Sequence, residues 1–246
     1  MLRAADTCVP GAEFPWLESR VPAGFWLQRE NRIEYLVWLG RQLGFTKHED
    51  WYRLRNRDLC KNRGGTLLNR VYGASVQRAV IDLYPEYNWR PWLFRKTPQG
   101  FWFERENRLE YMAWLEERLG IQNDDDWYKV EESDFSANSG AGILANHYNG
   151  SVLTAMCEYR PWVNWLPWKF KKVPRGFWAD LPNRQLFYDW IAGQYRFRSL
   201  EDCDKLSKRK LCESYGSSLL TTVFRGSMSD LREEMKATRQ RYGYFA

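Results

Sequence analysis

Histidine is scarce in this chain: His48 and His147 are the only two among 246 residues. Cysteine is sparse as well, with Cys8, Cys60, Cys157, Cys203 and Cys212 making an odd set with no Cys-x-x-Cys spacing. A zinc site needs about four closely organised Cys, His or carboxylate ligands, so no metal is expected. The thiols read as reduced and half-buried in helices, which points to a reducing compartment. Dinucleotide, Walker A, HExxH and GxSxG patterns are missing. His48 lies in a charged turn without a counterpart elsewhere and reads as a surface residue, and His147 stands beside Tyr148 with no partner nucleophile. Neither catalysis nor a cofactor is expected. No run of about 20 apolar residues is present, so no membrane-spanning helix and no membrane partner are expected. The start, Met1-Leu2-Arg3-Ala4-Ala5-Asp6, has no signal-peptide apolar core and is too short and acidic for an intact transit peptide. Strand-like alternation is absent, which excludes an all-β architecture.

Aromatic residues are abundant: 17% of the chain, including 14 Trp. That supplies ample core material and excludes a disordered chain. The string Asn88-Trp89-Arg90-Pro91-Trp92-Leu93-Phe94 returns as Asn164-Trp165-Leu166-Pro167-Trp168-Lys169-Phe170, 76 residues later. The interval holds throughout. Pro22, Gly24, Phe25 and Trp26 recur as Pro98, Gly100, Phe101 and Trp102, and again as Pro174, Gly176, Phe177 and Trp178. Residues 22–97 and 98–173 are identical at 32 of 76 positions without a gap, and 174–246 is a degraded third copy. Pro15-Trp16-Leu17 lies one interval before Pro91-Trp92-Leu93, so residues 1–21 carry the remnant of a preceding repeat end.

Each repeat reads as helical. Ile33, Leu36, Leu39 and Leu43 form one stripe over 30–43, stopped by Gly44. Asp50 is placed to cap a turn holding Trp51 and Tyr52. Short helices are predicted over 58–62 and 66–72, separated by Gly64-Gly65, and Ser75 is placed to cap a helix ending before Pro85. The fold expected is all-α: three tandem modules of about four short helices each, joined by extended Trp/Pro-rich segments. A unit of this size buries little apolar surface alone. The aromatic tail therefore reads as cement between neighbouring modules, with stacking on exposed bases as the alternative.

The net charge is +6, and it is unevenly spread. Repeat 1 carries +7, repeat 2 carries −4 and repeat 3 carries +4, with −1 on residues 1–21. Repeat 1 bears Arg53, Arg55, Arg57, Lys61, Arg63, Arg70 and Arg78 where repeat 2 has Lys129, Glu131, Ser133, Ala137, Ser139, Asn146 and Thr154. A basic face confined to one copy of a retained scaffold looks like a surface that copy uses. Further clusters are Lys169, Lys171, Lys172 and Arg175 at the junction of repeats 2 and 3, and Lys205, Lys208, Arg209 and Lys210 in repeat 3. Such groups neutralise phosphates and release counterions. The acidic runs Asp124-Asp125-Asp126 and Glu131-Glu132 suit solvent or a basic protein.

The string carried by Asp50-Trp51-Tyr52, Asp58, Gly64-Gly65, Leu67-Leu68, Tyr72, Ser75, Ala79, Tyr84-Pro85-Glu86, Trp89, Pro91-Trp92 and Phe94 resembles tandem Trp-rich repeats of uncharacterised proteins from algae, protists and some fungi. The resemblance spans nearly the whole chain and implies a repeat architecture; it implies no activity. Repeat 2 departs at Arg160-Pro161-Trp162, and repeat 3 ends in the basic aromatic arm Arg239 to Phe245, suited to closing the last module or touching RNA. These features point to a non-enzymatic, RNA-binding structural protein. The expected setting is a large organellar ribonucleoprotein such as a mitochondrial ribosome, with rRNA and neighbouring proteins as partners. A protein-only structural subunit and a helix-turn-helix-like DNA-binding repeat protein are the alternatives.

Overall fold

A computed structural model describes residues 14–18 and 20–242. Among them every regular element is helical, and no strand is present. The chain folds as two compact units, Met1–Phe101 and Trp102–Ala246.

In the first unit, helix α1 (Pro15–Glu18) precedes a 3-10 turn at Phe25–Leu27 and the long helix α2 (Arg29–Gln42). A 3-10 turn at His48–Arg53 then leads to three short helices, α3 (Asn56–Lys61), α4 (Gly65–Arg70) and α5 (Val76–Leu83). Tyr35, Leu36 and Leu39 of α2 meet Leu59, Leu67, Ala79 and Val80 in a fully buried core. The second unit runs through α6 (Arg105–Leu119), α7 (Glu132–Ala137), α8 (Ala141–His147), α9 (Val152–Tyr159), α10 (Leu181–Gln194), α11 (Lys208–Glu213), α12 (Ser217–Thr222) and α13 (Met228–Tyr242). The same succession of elements thus returns at the interval of the sequence repeat.

Local chemistry sets the boundaries. The Ser75 hydroxyl accepts from Arg78 N at 3.3 Å and Ser151 from Thr154 N at 3.1 Å, as N-caps do. Asp50 and Asp58 differ from the sequence reading. Each sits three residues into its helix and reaches back, Asp50 to Thr46 N and Lys47 N, Asp58 to Arg55 N. That capping-box placement starts α3 at Asn56, two residues before the predicted start. The Gly64-Gly65 pair does more than stop a helix: Gly65 begins α4, and a Cβ on Gly64 would lie 2.2 Å from the Tyr35 hydroxyl. Tyr35 donates that hydroxyl to Asn62 O at 3.1 Å, so the glycine allows the buried phenol to reach backbone.

The Trp/Pro tails are not extended throughout. Pro91–Leu93 and Pro167–Lys169 each form a 3-10 turn, because proline at the first helical position presets φ. Trp89, Trp92, Phe94, Trp165, Trp168 and Phe170 are all buried, so these rings pack. Trp168 sits against Trp178, Phe187 and Trp190 at centroid distances of 6.4, 5.3 and 5.5 Å. Trp16 makes the matching set with Trp26, Tyr35 and Trp38 at 6.1, 5.4 and 5.8 Å. Burying each such ring removes roughly 150–250 Å² from water.

A second recurring device was not read from the sequence. Arg32 Nε donates to Asp82 at 2.9 Å and the Tyr72 hydroxyl to the same carboxylate at 2.7 Å. Arg108 and Tyr148 hold Glu158 likewise, at 3.0 and 2.5 Å. Arg184 holds Glu234 at 2.7 Å, but Phe224 now replaces the tyrosine and Tyr188 supplies the hydroxyl at 2.8 Å. Each arginine also donates to the carbonyls that open its repeat, Trp26 and Leu27, Trp102 and Phe103, or Trp178 and Ala179. The device therefore ties the repeat's first turn to its last helix.

Several smaller expectations change. His48 is half-buried, its ring stacked on Tyr87 at 4.5 Å. Cys60, Cys157 and Cys212 are exposed free thiols and Cys203 is buried, while Cys8 lies outside the described residues. Of the C-terminal arm, residues 239–242 continue α13 with Arg239 buried, which suits closure of the last core; residues 243–246 lie outside the described set. No described helix is long and apolar enough to cross a membrane, and no described cluster of three His, Cys, Asp or Glu could hold a metal.

Candidate nucleic-acid interface

A groove of about 540 Å³ opens in the first unit where three segments meet. Leu54 to Arg57 forms one wall, Ala74 to Gln77 the second, and Phe94 to Lys96 the third. Local bonds fix each wall. Arg55 N donates to Asp58, and Asn56 Nδ2 donates to Ala74 O at 3.0 Å, joining α3 to the turn before α5. The third wall hangs on aromatics. Phe94 packs on Tyr52 at 4.7 Å, Arg90 N donates to the Tyr52 hydroxyl at 2.9 Å, and Trp89 Nε1 donates to Tyr84 O at 2.9 Å. Burial of Phe94 leaves its chain neighbours Arg95 and Lys96 exposed at the rim.

Four cations therefore share one groove: Arg55, Arg57, Arg95 and Lys96. Asp58 Oδ1 lies 3.7 Å from Arg57 Nε, beside a largely exposed guanidinium. Among the described residues Arg55, Arg95 and Lys96 make no ion pair. Gathering like charges raises the local potential and favours a polyanion.

The second unit provides an internal comparison. Its equivalent groove, about 890 Å³, is walled by Val130 to Ser133, Asn149 to Val152 and Phe170 to Arg175. The scaffold is the same: Leu166 N donates to the Tyr128 hydroxyl at 3.0 Å, and Phe170 packs on Tyr128 at 4.8 Å. The charge is not. Glu131 and Glu132 stand where the first groove has Arg55 and Asn56. They pair with Lys171 at 2.5 Å and Lys172 at 2.9 Å. One groove pairs both of its lysines from within and keeps Arg175 as its one unpaired cation among the described residues; the other gathers four cations.

The other sequence candidates disperse. Arg53, Lys61, Arg63, Arg70 and Arg78 do not line the groove. Arg53 binds Asp50 at 2.7 Å. Lys169 lies over the Tyr128 ring at 4.9 Å and 3.6 Å from Asp125. Lys205 pairs with Asp202 at 2.6 Å and Arg209 with Glu213 at 2.8 Å, while Lys210 covers Tyr195 at 5.2 Å and Lys208 is exposed. Arg175 lines the second unit's groove and is exposed. In repeat 3, Lys205 and Arg209 are thus already paired with acids. Arg95 and Lys96 were missed: they immediately follow the retained aromatic tail, which reads as packing, and only its buried Phe94 reveals that they project beside Arg55.

Hydrogen bonds keep two carboxylates of the scaffold ionised. Burial alone would raise the Asp82 carboxyl, but the Tyr72 hydroxyl and the Arg32 guanidinium hold it below its ordinary range. Hydrogen bonds from Arg108, then from Tyr148, outweigh burial and do the same for Glu158. Comparison with protein-family models, curated proteins and solved structures finds no match to this chain.

Proposed function

We propose that the chain is a non-enzymatic RNA-binding structural protein, built as three tandem helical modules. The reading rests on one observation: the first groove gathers Arg55, Arg57, Arg95 and Lys96, whereas its counterpart carries Glu131 and Glu132 paired with Lys171 and Lys172. Solvation alone gives no reason for a single scaffold to gather cations in one version and pair the lysines of the other. Phosphate neutralisation does, and arginine binds phosphate in bidentate fashion. Folded rRNA within a mitochondrial ribosome or a similar ribonucleoprotein is the proposed setting. The groove with paired lysines and the 75% exposed Trp162 would face neighbouring proteins there. The test is sedimentation of the native particle with and without ribonuclease. Collapse of a large particle is expected; a particle that survives nuclease intact would transfer the chain to a protein-only assembly.

A further inference from the structure

We infer that another groove of the unit Trp102–Ala246, adjoining the one that holds Glu131 and Glu132, takes one unpaired nucleotide of the bound RNA, with the base stacked on Tyr215 and its phosphate on Arg175. This inference rests on the RNA-binding reading above. The groove holds about 830 Å³, with Trp168, Phe177 and Trp178 among its lining and Arg175 and Tyr215 also facing it. That volume suits a single small aromatic ligand.

Tyr215 is the unusual member. Its backbone is left-handed, with φ of 63°, a conformation that bulky residues adopt at a cost. The turn itself imposes this angle, because the equivalent Arg63 and Ser139 have φ of 66° and 63°. Glycine or asparagine would fit such a turn with less strain. Instead the chain places a tyrosine there and leaves it 49% exposed, with a distant contact to Trp190 at 6.4 Å as its only ring contact among the described residues. An aromatic ring kept at an unfavourable position and turned to solvent has little structural benefit. Facing a groove, it offers a stacking platform for any base. In repeat 1 the same position carries Arg63, whose guanidinium plane can also stack on a base.

The charges specify one phosphate rather than many. Lys171 is held by Glu131 at 2.5 Å and Lys169 lies 3.6 Å from Asp125. Among the described residues Arg175 has no ion-pair partner, and it is exposed on the same groove. One unpaired cation beside one exposed ring matches one nucleotide. A duplex buries the faces of its bases in the stack, so the occupant is a looped or single-stranded residue.

The test measures binding of the full chain to labelled oligo(A), to an RNA duplex of equal length and to AMP. Tyr215→Gly is expected to weaken oligo(A) binding roughly tenfold and to leave duplex binding unchanged. Tyr215→Trp is expected to retain oligo(A) binding. The glycine variant keeps the fold, since relief of the left-handed strain offsets the lost contact with Trp190, and its Tm is the control. Unchanged oligo(A) affinity in Tyr215→Gly, with binding still lost in Arg55→Glu/Arg57→Glu, would overturn the nucleotide site and leave the RNA reading standing. AMP binding as tight as oligo(A) would overturn the strand as occupant. Failure of the wild type to bind either RNA would overturn both readings.

Discussion

The internal comparison of grooves can be turned into an experiment on the first unit. Arg55→Glu with Asn56→Glu writes the charges of Glu131 and Glu132 into the cationic groove. The second unit shows the consequence, since those glutamates bind Lys171 and Lys172, the counterparts of Arg95 and Lys96. The graft removes Arg55 and neutralises Arg95 and Lys96, withdrawing three cations from RNA. Each phosphate contact on a single strand contributes about 0.7 to the slope of log K against log salt. The slope should therefore flatten by about 2, which is roughly fifty-fold in affinity near 0.15 M salt relative to 1 M. The assay is fluorescence anisotropy of labelled RNA across a salt series. Stability is the control. Exposed ion pairs contribute only about 0–1 kcal/mol, so Tm should move little. An unchanged salt slope in a folded double variant would refute the assignment of phosphate binding to this groove.

Other perturbations test the scaffold. Trp168→Ala removes a buried ring from the cluster of Trp178, Phe187 and Trp190 and should cost about 3–5 kcal/mol in urea unfolding. Gly64→Ala forces a methyl to within 2.2 Å of the Tyr35 hydroxyl and should cost about 1–3 kcal/mol; Gly65→Ala, where the nearest atom is Cys60 Sγ at 3.7 Å, should cost nothing. Glu158 is held below its ordinary pKa by Arg108 and Tyr148, so its contribution is present above the unfolded-state value and lost as pH falls through the folded one. Glu158→Gln should cost about 1.5–3 kcal/mol at neutral pH and lose less on acidification than wild type, read from urea midpoints at both pH values.

The helices and their caps were legible because their causes are local. The apolar stripe of α2, the Ser75 cap and the stop at Gly44 each depend on residues within about one turn. Packing of the tail tryptophans was legible too, since retention of Trp92 and Trp168 across copies of opposite charge favours burial over base contact. Asp50 takes the third helical position instead of the N-cap, and the helix expected from Asp58 starts at Asn56, because a carboxylate reaches equally forward as an N-cap and backward from the third helical residue.

The candidate site was half legible. The sequence by itself determined the helical class, the 76-residue periodicity and the concentration of cations in repeat 1. All three follow from side-chain spacing and composition along the chain. Only the tertiary structure decided which cations act together. Arg55 joins Arg95 because the Phe94 ring is buried against Tyr52, and Lys171 is silenced by Glu131 because the same path carries an acid instead. The same holds for the Arg32, Tyr72 and Asp82 cluster, and for Tyr188 filling the role lost at Phe224. Charge pairing across some forty residues depends on where the backbone returns, and no local rule of spacing contains that distance.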